Sequence, residues 1–232
     1  MTPWCKIAIN KKNNLFSVFD QELANADLVT QALTHRSLGS KNNEVLEFLG
    51  DSVLNLVITE ELIKLFPDAR EGELSRLRAW YVRGSTLADI AEENQLGDQL
   101  KLGEGELKSG GFRRRSIMAD AVEALIGAVY QSSGFAAARD YVLAIYASRL
   151  SSPPDPQTLK DPKTRLQEWL QSRSHVIPDY ELVNTKGKAH QQEFSVTCTI
   201  RTMNIVTTAS GNSRRKAEQL AAEKALEQVL ND

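Results

Sequence analysis

Histidine and cysteine are scarce in this chain. Its 232 residues include three histidines (His35, His175, His190) and two cysteines, Cys5 and Cys198. Two distant cysteines exclude a disulfide framework and a zinc site of the usual cysteine–histidine spacing. Free thiols in a reducing cytoplasm are the expectation. No apolar run approaches the ~20 residues of a membrane span. The start, Met1-Thr2-Pro3-Trp4-Cys5-Lys6, lacks the charged-then-apolar form of a signal peptide. Internal repeats and low-complexity tracts are missing too. Net charge is small, at −2, which argues against a nucleic-acid partner until it is resolved along the chain. Residues 1–150 hold 17 Lys and Arg against 20 Asp and Glu; residues 151–162 hold 1 against 2; residues 163–232 hold 10 against 8. An acidic first part suits a metal site, and a mildly basic last part suits a binding module.

Proline is sparse as well, and its distribution marks a boundary. Of seven prolines, four fall at Pro153, Pro154, Pro156 and Pro162. A stretch such as Ser151-Ser152-Pro153-Pro154-Asp155-Pro156 cannot continue a helix and favours an extended linker. The organisation expected is a domain over 1–150, a proline-rich linker over 151–162, and a second domain over 163–232.

What is present in the first part is acid on apolar helices. The stretch Asn43-Glu44-Val45-Leu46-Glu47-Phe48-Leu49-Gly50-Asp51-Ser52 places Glu44, Glu47 and Asp51 at i, i+3 and i+7, one ridge of a helix. That helix is expected from about Asn43 to Leu65, ending before Pro67. Like charges at this spacing repel, and burial resists carboxylate ionisation. A plain solvated face fits poorly, because the segment is too apolar for a free surface helix. Met118-Ala119-Asp120-Ala121-Val122-Glu123 repeats the pattern, with Asp120 and Glu123 at i, i+3. Two such helices packed acid to acid would gather four carboxylates around one or two hard cations such as Mg²⁺. That arrangement suits metal-assisted phosphodiester hydrolysis.

These segments resemble the ribonuclease III family, the double-stranded-RNA endonucleases, in its short bacterial form. The stretches Gln31-Ala32-Leu33-Thr34-His35-Arg36-Ser37, Glu71-Gly72-Glu73-Leu74-Ser75-Arg76-Leu77-Arg78 and Lys108-Ser109-Gly110-Gly111-Phe112-Arg113-Arg114 match it in family order. The likeness spans roughly residues 28 to 230. It implies an all-α nuclease domain in which Glu47, Asp51, Asp120 and Glu123 bind metal and carry catalysis. The metal would be Mg²⁺, with Mn²⁺ as a possible substitute. Glu44 and Glu71 would then lie beside the RNA, Glu71 near the cut. The implied products carry 5′-phosphate and 3′-hydroxyl ends with short 3′ overhangs. One carboxylate set per chain against two RNA strands implies a homodimer. Processing of ribosomal and other RNA is the family expectation. Asn42 and Val45 depart from the family pattern, where histidine and arginine are common. His35 reads as a structural hydrogen-bonder rather than a ligand. Arg113-Arg114-Arg115 reads either as a solvated turn or as a phosphate contact.

After the linker the pattern changes. Lys163 to Arg173 reads as a helix, and Tyr180 and Leu182 open a strand. Phe194, Val196, Cys198 and Ile200 alternate with polar residues, as a half-buried strand does. Ile205 to Ala209 is a third strand, and Arg214 to Leu230 a final helix. This α-β-β-β-α order is an α+β module resembling the double-stranded-RNA-binding domain. Arg214, Arg215 and Lys216 occupy the first turn of the last helix, where the dipole disfavours cations unless a phosphate joins them. The resemblance gives this cluster the phosphates of the RNA major groove. It gives Thr164, Gln167, Gln171 and the loop bearing His190 the minor groove, where RNA shows its 2′-hydroxyls. Two other readings compete with this one. A catalytically silent RNA-binding scaffold would lack part of the carboxylate set, and the set is complete. A di-iron bundle needs Glu-x-x-His pairs, and histidine does not occur at those spacings.

Overall fold

The computed structural model describes residues 27–187 and 192–231. His190 and its neighbours at 188, 189 and 191 lie outside them, as does Cys5. The chain divides between Pro156 and Gln157 into two compact units.

The first unit is helical: α1 Asp27–Ala32, α2 Glu44–Leu65, α3 Glu71–Val82, α4 Gly84–Glu93, α5 Glu104–Lys108, α6 Arg115–Ile145 and α7 Ala147–Leu150. Its centre is the pairing of α2 with α6. Leu46, Leu54, Val57, Ile58 and Leu62 on α2 are buried, as are Ala121, Val122, Leu125, Ile126 and Ala128 on α6. α6 is almost apolar all round over its first half, as a helix enclosed by others must be. It kinks at Gly134, whose φ of +79° is open to glycine at little strain. Its backbone there is not helical, so two helical stretches meet at this glycine across a kink. Around the core, Tyr81 donates to the Arg149 carbonyl (3.0 Å) and Tyr146 donates to the Tyr81 carbonyl (3.1 Å). These bonds satisfy hydroxyls that burial would otherwise leave unpaired.

The second unit has the expected α-β-β-β-α order: α8 Pro162–Ser172, β1 Asp179–Lys186, β2 Glu193–Ile200, β3 Ile205–Gly211 and α9 Arg214–Asn231. The three strands form one antiparallel sheet in sequence order. Leu166 and Leu170 of α8, Cys198, Ile200, Ile205 and Ala209 of the sheet, and Ala221, Ala225 and Val229 of α9 make its core. Cys198 is a free, buried thiol. The stretch before α8 is more structured than an extended linker. Asp161 caps α8, accepting from the Thr164 amide (3.1 Å), and also accepts from Gln219 of α9 (2.9 Å). No helix among the described residues is long and apolar enough to cross a membrane.

Candidate active site

The acids meet because two backbones touch. A Cβ on Gly50 would land on the carbonyl oxygen of Glu123, and one on Gly127 would land on that of Leu46. Only glycine at both positions lets α2 and α6 cross this closely. Gly50 lies between Glu47 and Asp51, and Gly127 lies one turn after Glu123. The crossing therefore sets the two acid pairs face to face. Carboxylate oxygens of Glu47, Asp120 and Glu123 come within 4.8 Å of one another. All three are half-buried. Asp51 is the exposed member; its Oδ1 accepts from Asn55, one turn on, at 2.8 Å.

Their protonation behaviour follows from that geometry. Burial first, then the charges of Asp51, Glu47 and Asp120, push the Glu123 carboxyl from its ordinary value of 4.5 up to about 8. Burial and the charges of Asp120, Glu44 and Asp51 raise Glu47, with Arg36 opposing. Burial raises Asp120, with His35 and Arg36 opposing. Converging carboxylates that resist ionisation, all with oxygen donors, fit a hard divalent cation. The cluster is thus a set of acids that can hold a metal ion.

Beside it opens a cleft of about 460 Å³, bordered by Glu47, Glu44 and Asp120 and by His35, Arg36, Asn43 and Arg114. The His35 segment is held there by backbone bonds. His35 donates to the Lys101 carbonyl (3.0 Å), and Gly103 donates to Ser37 Oγ (2.9 Å). His35 Nδ1 itself pairs with Ser37 Oγ (2.9 Å), a structural bond. His35 nevertheless lies close enough to Asp120 to oppose the rise of its carboxyl.

The residues matched by family models agree. Residues 25–150 match the ribonuclease-III-like model, and residues 162–229 match the double-stranded RNA binding motif. A protein of Vibrio cholerae named Ribonuclease 3 is 54% identical over 219 residues, 94% of this chain and 97% of that protein. The chain belongs to the ribonuclease III family. It is an endoribonuclease of the class that acts on double-stranded RNA. A second protein named Ribonuclease 3, from Vibrio vulnificus, is 58% identical over 205 residues, 88% of this chain and 91% of its own. Among solved structures, the nuclease domain of ribonuclease III from Campylobacter jejuni aligns with a TM-score of 0.54 at 38% identity. It covers 63% of this chain and 99% of that one. Another structure of that domain, with TM-score 0.53, 40% identity and 57% and 96% coverage, concerns flexibility in a region involved in dimer formation.

Not every residue expected at the ribonuclease III site is gathered in one place. Glu44 borders the cleft, 3.6 Å from Arg36. Glu71 lies elsewhere: it accepts from Ser75 (2.6 Å) and borders a separate cavity with Thr59, Leu62, Ile63, Leu74 and Arg78. The run of three arginines is mostly engaged internally. Arg114 pairs with Glu106 (2.6 Å), Arg115 with Asp89 and Glu92, and Arg113 stacks over Phe112. Asn42 caps α2, its Oδ1 accepting from the Glu44 amide (3.0 Å). Val45 is fully on the outside, 74% exposed.

In the second unit Arg214, Arg215 and Lys216 are exposed on the first turn of α9. Ser213 caps that turn by accepting from the Lys216 amide (3.1 Å). Arg214 pairs with Glu218 (2.9 Å), while no ion pair is formed by Arg215 or Lys216 among the described residues. Gln167 and Gln171 are exposed on α8. Thr164 is half-buried and donates to Asp161 (2.8 Å). Sequence reasoning missed Gly50, Gly127, Arg36 and Asn43. The glycines had a readable signal, a small residue beside each acid pair on an otherwise apolar helix.

Proposed function

We propose that this chain hydrolyses phosphodiester bonds of double-stranded RNA at the acid cluster, leaving 5′-phosphate and 3′-hydroxyl ends with short 3′ overhangs. One observation carries the reading: oxygens of Glu47, Asp120 and Glu123, from two crossing helices, lie within 4.8 Å. Those three residues, with Asp51 at the rim, would hold Mg²⁺, and Mn²⁺ could replace it. Bound there, the ion supplies an activated water and counter-charge for the leaving 3′-oxygen. The residues do the rest. Glu47, Asp120 and Glu123 fix where that chemistry occurs, while Arg36 offsets the charge of Glu47 and Asp120, and His35 that of Asp120. In the second unit, Arg215 and Lys216 sit at a helix N-terminus without an ion pair among the described residues, the arrangement that attracts phosphate. Gln167 and Gln171 belong to the same binding role, with Arg214, Thr164 and His190 as further contacts. We assign the nuclease work to 1–150 and the duplex binding to 163–232, joined by 151–162, in a cytoplasmic enzyme of RNA processing.

The working form in this reading is a homodimer. α2 is apolar on two faces, and its outer face leaves Val45, Phe48, Leu56 and Ile63 exposed, Phe48 by 78%. Exposed apolar side chains at this density on one helix are what interfaces bury. A second copy also supplies the second carboxylate set that a second strand needs. Because Glu71 borders a different cavity, any part it takes at the cut falls to that second chain.

The test is cleavage of a labelled perfect RNA duplex with Mg²⁺, with EDTA and with Glu123→Gln, beside a gel shift of the same RNA. Discrete cuts that vanish with EDTA and with the variant, while the variant still binds, are expected. Binding without cutting by the unaltered chain, in Mg²⁺ and in Mn²⁺, replaces this reading with that of a silent scaffold.

A further inference from the structure

The cleft beside the acids contains one buried polar side chain that the proposed hydrolysis leaves unused. Asn43 precedes α2 and is 3% exposed, and it borders the cleft together with Glu47 and Asp120. An asparagine at this position ordinarily turns its carbonyl oxygen onto an amide of the first helical turn. Asn43 makes no such bond. Asn42 caps α2 instead, through the Glu44 amide, and is itself tied to the Gly39 carbonyl (3.1 Å). Asn43 is held only through its backbone: its amide donates to the Thr34 carbonyl (2.9 Å), and its carbonyl accepts from Glu47 (2.8 Å). Its carboxamide has no hydrogen-bond partner among the described residues. Its polar atoms are not among those sealed from solvent without a partner, so the carboxamide stays open to a ligand in the cleft it borders.

The neighbours narrow what the partner is. His35 and Ser37 are bonded to each other, Arg114 is paired with Glu106, and Glu44 is bonded by Asn42. Glu47 and Asp120 are hydrogen-bond acceptors only when ionised, and they attract cations. The carboxamide NH₂ is the buried neutral donor on this wall. Arg36 borders the same cleft, near enough to lower both acids. A cleft whose lining brings carboxylates together with an amide donor and a guanidinium fits a phosphodiester, which brings anionic oxygens and accepts from N–H groups.

We propose that Asn43 contacts the substrate, its NH₂ donating to a non-bridging oxygen of the RNA phosphate cut at the acid cluster. The inference rests on that cluster being the site of cleavage. The hydrogen bond is to a charged group, so Asn43→Ala lowers kcat/KM by roughly 10- to 100-fold. Its thermal midpoint and its retention of duplex RNA in gel shifts stay close to those of the parent.

The deciding measurement uses RNA duplexes with a single sulfur, Rp or Sp, at the cut phosphate. Sulfur accepts hydrogen bonds poorly, and a penalty due to lost metal contact is relieved by the softer Mn²⁺. In the parent, one diastereomer should show a slowing that Mn²⁺ does not relieve, and Asn43→Ala should erase that slowing. A parent without any Mn²⁺-resistant penalty overturns the proposal. So does Asn43→Ala at full rate, or slowed with the parental sulfur pattern intact, which marks a structural role. If Asn43→Ala melts early, Asn43→Asp, which keeps the shape and loses the donor, is read by the same criteria. A parent that fails to cut the all-oxygen duplex refutes the cleavage reading instead.

Discussion

Both units carry charge that the fold leaves uncompensated, and they treat it in opposite ways. In the nuclease unit the acids converge, are half-buried, and push one another toward the protonated state. In the second unit Arg215 and Lys216 stand exposed on one helical turn, and no ion pair quenches them among the described residues. Burial makes the first site call for a cation at one place, because desolvated charge is expensive until matched. Exposure makes the second a long-range attractor for any duplex backbone, weakened by salt. One unit is built for chemistry at a point, the other for grip along a surface.

The comparison breaks first at Glu123. Replacing it with Gln removes a carboxylate from the converging set and leaves the second unit untouched. Cleavage of duplex RNA is expected to fall on the order of 10³-fold or more, as for groups that act as a unit. Gel-shift affinity should stay within about twofold. Parallel loss of binding would show that the two units do not divide the work. Next in size is Gly127→Ala. Its methyl would meet the Leu46 carbonyl, so α2 and α6 must separate. Destabilisation of about 1–3 kcal/mol, together with loss of cleavage, is expected in denaturant melts. An unchanged melt would mean that the crossing is looser than its geometry.

These two sites also mark what was legible in the sequence. The carboxylates were readable because i, i+3 and i+7 acids on apolar helices have few structural uses. The sheet module was readable from period-2 alternation in Phe194 to Ile200 and from the basic first turn at Arg214, Arg215 and Lys216. The partition of α2 was not readable. Val45, Phe48 and Leu56 look like core by type, and only packing shows that α6 takes the Leu46–Leu54–Ile58 side. The arginine run stayed ambiguous for a related reason. Its charge is evident in the sequence, but its partners Asp89, Glu92 and Glu106 lie 8 or more residues away and are found only in the fold. Glu71 belongs to the right motif yet stands at another cavity, because motif order says nothing about which wall a helix faces.

A smaller effect sharpens the other half of the comparison. Arg215→Ala with Lys216→Ala removes two exposed cations near a helix N-terminus. Duplex affinity should fall roughly tenfold at moderate salt, and the salt dependence should become shallower by about two ions. Cleavage at saturating RNA should keep its rate. A rate that falls at saturation would assign these residues to the chemistry as well as the grip.

The smallest effect tests whether buried convergence is what separates the two sites. Glu123 keeps its proton in the folded state up to about pH 8, whereas in the unfolded chain it loses it near 4.5. Between those values the folded state binds more protons, so stability falls as pH rises through the window and levels off above it. The metal-free chain should therefore be less stable at pH 8 than at pH 5. The Glu123 contribution is on the order of 1–3 kcal/mol once screening of a half-buried group is allowed for. Glu123→Gln should flatten that part of the profile and leave a remainder from Glu47 and Asp120, which are raised by the same burial. Added Mg²⁺ should stabilise the parent more at pH 8 than at pH 5, since ion and proton compete for the same oxygens. Urea melts of parent and variant at both pH values, with EDTA and with Mg²⁺, decide it. A parent whose stability rises over that range in EDTA would mean that the acids are already compensated within the fold, and the contrast with the exposed cations of α9 would lose its physical basis.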